Sequence, residues 1–161
     1  MKTITVTLKK EELLYDIENT AYLVGESRSD GSNFEQVSKI QNAGEEEDRN
    51  FILRSMGNAF SEVKRHLSRY INEEKQAANN TLIDEDGDFS LVLNVVDRFN
   101  EANTESLKSA AHEYILSSSL RDWFSTVKPD EVTVYVSRIQ SAQVNLLSSL
   151  YRKKAPQIPT P

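Results

Sequence analysis

The sequence predicts a mainly α-helical fold with a small antiparallel sheet, an α+β body of about four helices, one of them long, beside an N-terminal strand and a β-hairpin. Three observations carry this. Apolar residues recur at spacings of three and four over most of the chain, the period of amphipathic helices. Ile4, Val6 and Leu8 alternate with Thr3, Thr5 and Thr7, the period of a half-buried strand. Two β-rich runs, Thr81-Leu82-Ile83 and Phe89-Ser90-Leu91-Val92-Leu93, flank an Asp-Gly turn at Asp86-Gly87.

The elements follow in order. After the first strand, Leu14, Ile17, Ala21 and Val24 mark a helix from Lys10 to about Glu26, with Glu11 and Glu12 complementing its N-terminal dipole and Gly25 near its end. Residues 27–44 are polar and unpatterned and read as a flexible loop within the domain. Glu45-Glu46-Glu47-Asp48 then place acidic charge at the start of the next helix. Four carboxylates in a row are not spaced to converge on one ion. From Asp48 to about Glu74, Leu53, Met56, Phe60, Val63, Leu67 and Tyr70 keep a 3-4-3-4-3 spacing, widened by Ile52 and Ala59. That is a helix of roughly 25 residues, about 38 Å at ~1.5 Å per residue, and it implies an elongated molecule.

In the hairpin, Phe89, Leu91 and Leu93 share one face, and the N-terminal strand can complete the sheet. A helix starts at Asn103 or Thr104, with Leu107, Ala111, Tyr114, Ile115, Trp123 and Phe124 on its apolar face. Lys128-Pro129-Asp130 ends it and starts another. Val132–Val136 has strand composition, yet Tyr135, Val136, Ile139, Leu146 and Leu150 continue a helical stripe, and length decides for helix. Arg152-Lys153-Lys154 and three prolines among the last six residues form an extended basic tail. The domain organisation is one elongated domain over 1–151 and this tail over 152–161.

Composition narrows the function. The chain has 161 residues, 25 acidic against 19 basic, a net charge of −6 and no cysteine. Disulfides, thiol catalysis and thiolate metal sites are excluded. The acidic balance argues against general nucleic-acid binding. No run approaches the roughly 18 apolar residues of a membrane span, and residues 1–10 lack the apolar stretch of a signal peptide, so neither secretion nor membrane insertion is expected.

No motif names a reaction. A calcium loop with Gly87 at its sixth position would place Asp84 and Asp86 at its third and fifth, but Leu82 and Leu93 at the first and twelfth, where neither can coordinate. His112-Glu113 lacks the second histidine of a metalloprotease helix, since Leu116 stands there. Glu62 and His66 are one turn apart and fit a structural pair. Ser117-Ser118-Ser119 is an interior helical run without a nucleophile turn. A hydrolase with a site built from distant carboxylates such as Glu62 and Glu113 has no positive signal. The expectation is a protein that is not an enzyme and uses no cofactor and no metal.

Trp123, Phe124, Tyr114 and Tyr135 read first as core anchors of the last two helices, and otherwise as anchors at a subunit interface. The tail is either a free end or an arm that becomes ordered on a neighbouring subunit. The candidate interface residues are therefore Trp123, Arg152, Lys153, Lys154, Pro156 and Ile158.

Phe89-Ser90-Leu91-Val92-Leu93, Arg98-Phe99-Asn100, His112-Glu113-Tyr114-Ile115-Leu116, Leu120-Arg121-Asp122-Trp123-Phe124 and Leu150-Tyr151-Arg152-Lys153-Lys154-Ala155-Pro156 carry a family resemblance. With the segment after Pro129 they cover about half the chain, which resembles head-completion and head–tail connector (adaptor) proteins of tailed phages and prophages of gut bacteria. The resemblance implies a virion structural protein, assembled in the host cytoplasm. It would form a homo-oligomeric ring between portal and tail proteins, through which genomic DNA passes without sequence-specific binding. The competing expectation is a small cytoplasmic helical module that binds or regulates another protein through the apolar stripe of its long helix.

Overall fold

The computed structural model describes residues 1–77 and 87–151. Strand β1 (Lys2–Lys9) leads into helix α1 (Lys10–Ser27). Helices α2 (Phe34–Gln41) and α3 (Glu46–His66) follow, joined by a 3-10 turn at Asn42–Gly44. Strand β2 (Asp88–Val95) precedes the last two helices, α4 (Asn103–Val127) and α5 (Val132–Tyr151).

The sheet among the described residues is the antiparallel pair β1–β2, from Lys2 opposite Val95 to Lys9 opposite Asp88. This register sets Ile4 against Leu93, Val6 against Leu91 and Leu8 against Phe89, so both alternating patterns turn the same face to the core. The outer face is polar, with Thr3 donating to Asn94 at 3.2 Å and Thr7 meeting Ser90 at 3.4 Å. The partner of the Phe89–Leu93 run is thus the N-terminal strand. The other half of the expected hairpin, Thr81–Ile83, lies outside the described residues.

The second edge of β2 is occupied from 71 to 76. Ile71 bridges Leu93, and the Asn72 amide donates to the Val92 carbonyl at 2.9 Å. The Gln76 side-chain amide then acts as one more peptide unit. Its Nε2 donates to the Ser90 carbonyl, and its Oε1 accepts from the Val92 N–H, both at 2.8 Å.

This pairing explains why α3 is shorter than its stripe suggests. It runs over 21 residues and stops at His66, followed by a 3-10 turn at Ser68–Tyr70. Asn72 Oδ1 accepts from the amides of Glu74 and Lys75, a local turn that competes with further helix. The longest helix is α4, with 25 residues.

The expected loop over 27–44 is also corrected, because it contains α2, and with it the α-helices among the described residues number five. Asp30 Oδ1 accepts from the amides of Ser32 and Asn33 and from the Ser32 hydroxyl, at 2.8–3.0 Å. Those bonds hold the Asp30 carboxyl below its ordinary range and set the tight turn before α2. Gly25 lies in the last turn of α1, which ends at Ser27, and α2 crosses it there. A Cβ at position 25 would lie 2.5 Å from Gln41 Cγ and 3.3 Å from the Val37 carbonyl.

The core is one cluster from all these elements, with α4 at its centre, packed against α1, α3, α5 and β1. Phe60 packs on Phe89 at 4.6 Å between ring centroids, joining α3 to the sheet. Phe124 stacks on Tyr135 at 5.2 Å, joining α4 to α5 across the break at Pro129. Buried Lys10 holds its ammonium over the Phe89 ring at 4.9 Å. No helix among the described residues is long and apolar enough to cross a membrane.

Candidate functional site

A cluster of polar and titratable side chains from three helices lies where α3, α4 and α5 meet. Heptad-type spacing turns the apolar stripe of α3 inward and leaves Glu62 and His66, four residues apart, on its flank. Tyr114 reaches them from α4. Its hydroxyl donates to Glu62 Oε2 at 2.8 Å and lies 3.3 Å from His66 Nε2. From α5, Gln143 Nε2 faces His66 Nδ1 at 3.4 Å. The phenol proton goes to Glu62, and the two ring nitrogens of His66 each face one neutral partner, Nε2 the Tyr114 oxygen and Nδ1 the Gln143 amide.

Burial pushes the Tyr114 hydroxyl up to about 12, and its hydrogen bond to Glu62 and that carboxylate's charge add to the shift, while Arg121 and Arg65 oppose it. At neutral pH the phenol therefore stays protonated and acts as a donor. The arrangement clamps three helices together and is poorly suited to general-base or nucleophilic chemistry.

The second histidine makes a separate link. His112 Nε2 lies 2.7 Å from Asp16 Oδ2, tying α4 to α1. Glu113 accepts from the Ser117 hydroxyl at 2.9 Å. Glu62 and Glu113 are thus each engaged in a different hydrogen bond. Among the described residues no three His, Asp or Glu side chains are grouped so as to hold a metal ion.

Trp123 is a core residue and cannot be a surface anchor: it is 3% exposed, and its indole N–H donates to the Ile40 carbonyl at 3.0 Å. Its neighbour Phe124 and the rings of Tyr114 and Tyr135 are buried with it. The other candidate interface residues, Arg152, Lys153, Lys154, Pro156 and Ile158, lie outside the described residues, as do Asp84 and Asp86.

Sequence reasoning missed the surfaces that are available for contact. Phe34, at the start of α2, is 82% exposed beside an open groove of about 580 Å³ that also includes Lys39 and Val127. Tyr15, Tyr22 and Leu23 are exposed on α1. A groove of about 530 Å³ runs between α4 and α5, lined by Ser106, Ser109, Glu113, Asn145 and Ser148 among others. Val134, Val144 and Tyr151 are exposed on α5. The signal for α5 was present as a second 3-4 repeat opposite the buried one. No family model, curated protein or solved structure matches the chain.

Proposed function

We propose that this protein is a structural component of a tailed-phage particle, a subunit of the head–tail connector ring between portal and tail, acting by contact and not by catalysis. The resemblance of its C-terminal half supplies the role. The observation that supports it is the division of labour among side chains. The converging polar groups of Glu62, His66, Tyr114 and Gln143 are spent on holding helices together. Bulky apolar groups, by contrast, stand exposed on the outer faces of α1, α2 and α5. A protein whose polar clusters are internal ties and whose outer helices present apolar groups is equipped to be covered by neighbours. In this role its partners are further copies of itself with portal and tail proteins, and its place is the virion. DNA passes an overall acidic subunit without being gripped.

Mass spectrometry of purified particles from the host that encodes the chain tests the reading. The chain is expected in intact particles, at a copy number comparable to that of the portal subunit. Particles that lack it overturn the reading and leave the helical binding module; the stripe of α3 expected to serve it is buried in the core, from Leu53 to Val63, so such a module would bind through exposed groups such as Phe34.

A further inference from the structure

We propose that the outer face of α5 is a self-association surface, on which a second copy of this chain lays its own α5 antiparallel about a two-fold axis. Tyr135, Ile139, Ala142, Leu146 and Leu150 form the buried side of α5. On the opposite side Val134, Ser137, Ser141, Val144, Ser148 and Tyr151 are all exposed, at a spacing of 3-4-3-4-3. That period keeps one seam facing a partner helix along its whole length. A helix face left to water normally carries charge. Here Arg138 is the one charged residue in the 20 of α5, against 27% for the chain, and its guanidinium folds back over the Tyr135 ring at 5.4 Å.

The seam is also inexpensive to dehydrate. Val134, Val144 and Tyr151 are 50%, 65% and 61% exposed and gain by burial. The Ser148 hydroxyl already donates to the Asn145 carbonyl of its own helix, at 3.2 Å, so it needs no partner across an interface. Three of the six seam residues, Ser137, Ser141 and Ser148, are small and let two helix axes approach closely.

Charge identifies the occupant. The chain carries a net charge of −6, so two copies repel one another over most of their surface. The α5 face has no carboxylate to oppose its own copy and no ammonium to attract a nucleic acid. Read antiparallel against itself, the seam closes in register. Val134 meets Tyr151 of the second copy, Ser137 meets Ser148, and Ser141 meets Val144. The two Arg138 groups then lie roughly 13 Å apart along the axis at ~1.5 Å per residue, beyond the ~8–10 Å screening length. A parallel pairing would set Arg138 beside Arg138. The antiparallel contact is a two-fold one, distinct from the head-to-tail contact that closes a ring, and it does not depend on the virion role. One helix seam of about 30 Å is smaller than a standard interface of ~800 Å² per partner, so dissociation constants on the order of 10–100 µM are expected.

Sedimentation equilibrium of the purified full chain tests the proposal separately from any particle experiment. A monomer–dimer equilibrium in that range is expected. Val144→Glu should weaken it at least tenfold while leaving unchanged the thermal midpoint measured at about 1 µM, where the parent is monomeric too, because the side chain is exposed in the monomer. The absence of cysteine makes the orientation testable. A Ser137→Cys chain mixed with a Ser148→Cys chain should form a disulfide-linked pair under mild oxidation. Ser137→Cys alone should not, since the two sites would be roughly 16 Å apart along the axis at ~1.5 Å per residue. A chain that stays monomeric into the millimolar range, a Val144→Glu chain that pairs as well as the parent, or Ser137→Cys alone linking as readily as the mixture would each overturn it.

Discussion

The Tyr114 hydroxyl donates a 2.8 Å hydrogen bond to the Glu62 carboxylate, and through it the central helix α4 is fastened to α3 at the level where His66 and Gln143 complete the cluster. The two residues are 52 positions apart in sequence, so the bond is worth nothing until α3 and α4 have packed. Tyr114→Phe keeps the ring in the core and removes the donor, leaving Glu62 Oε2 and His66 Nε2 without this partner. A loss of roughly 1–2 kcal/mol at neutral pH is expected in urea denaturation.

The same bond sets an alkaline limit. The folded-state hydroxyl is pushed up to about 12 from an ordinary value of 10.0, so folding favours its protonated form. Its contribution is complete below pH 10 and is lost as pH rises from 10 towards 12, a span worth roughly 2–3 kcal/mol. Tyr70 and Tyr135, also pushed up mainly by burial, are common to parent and variant. The stability difference between the parent and Tyr114→Phe should therefore shrink between pH 8 and pH 11. A difference that stays constant over that interval would mean the phenol titrates alike in the folded and unfolded chains.

Trp123 supplies the second long-range tie. Its indole N–H meets the Ile40 carbonyl at 3.0 Å, one of the last carbonyls of α2 and so one without an intrahelical partner. An eight-residue helix is too short to persist alone, and α2 depends on this contact and on α1 beneath it. Trp123→Ala is expected to cost roughly 3–5 kcal/mol through lost packing. Trp123→Phe should cost less, yet accelerate amide hydrogen exchange in 37–41 while α4 stays protected. Equal acceleration throughout the chain would instead place Trp123 in the global core alone. As the single tryptophan, it also reports burial directly through a blue-shifted emission.

What could be read from the chain divides along physical lines. β1, α1, α4 and α5 follow from periodicity, because each buries one continuous stripe and ends at a local signal such as the Lys128-Pro129 break. α2 was illegible for the opposite reason. It buries only Ile40, and its place depends on Gly25 beneath it and Trp123 from α4. The shortened α3 shows a second failure. Tyr70 extends the stripe numerically, but Asn72 starts a turn and Ile71 is taken by β2. For the polar cluster, the Glu62–His66 spacing was readable, whereas Tyr114 and Gln143 come from other helices and leave no trace in local sequence.

Gln76 offers a test of the sheet edge in which a side chain replaces backbone. Its amide donates to the Ser90 carbonyl and accepts from the Val92 N–H, both at 2.8 Å, extending the pairing begun by Ile71 and Asn72. At neutral pH a primary amide satisfies both groups at once, whereas an ionised carboxylate of the same shape does not. Gln76→Ala should leave both partially buried groups unpaired and cost roughly 1–3 kcal/mol. Gln76→Glu should be worse than Ala at pH 7, since an ionised carboxylate accepts from Val92 but faces the Ser90 carbonyl acceptor to acceptor. Protonation of the introduced carboxyl restores a donor, so the gap between Glu and Ala variants should narrow or reverse near pH 4. Thermal denaturation at the two pH values, with hydrogen exchange of the Val92 amide, measures both effects. An unchanged Val92 exchange rate in Gln76→Ala would show that the Oε1 contact contributes nothing to holding the edge of β2.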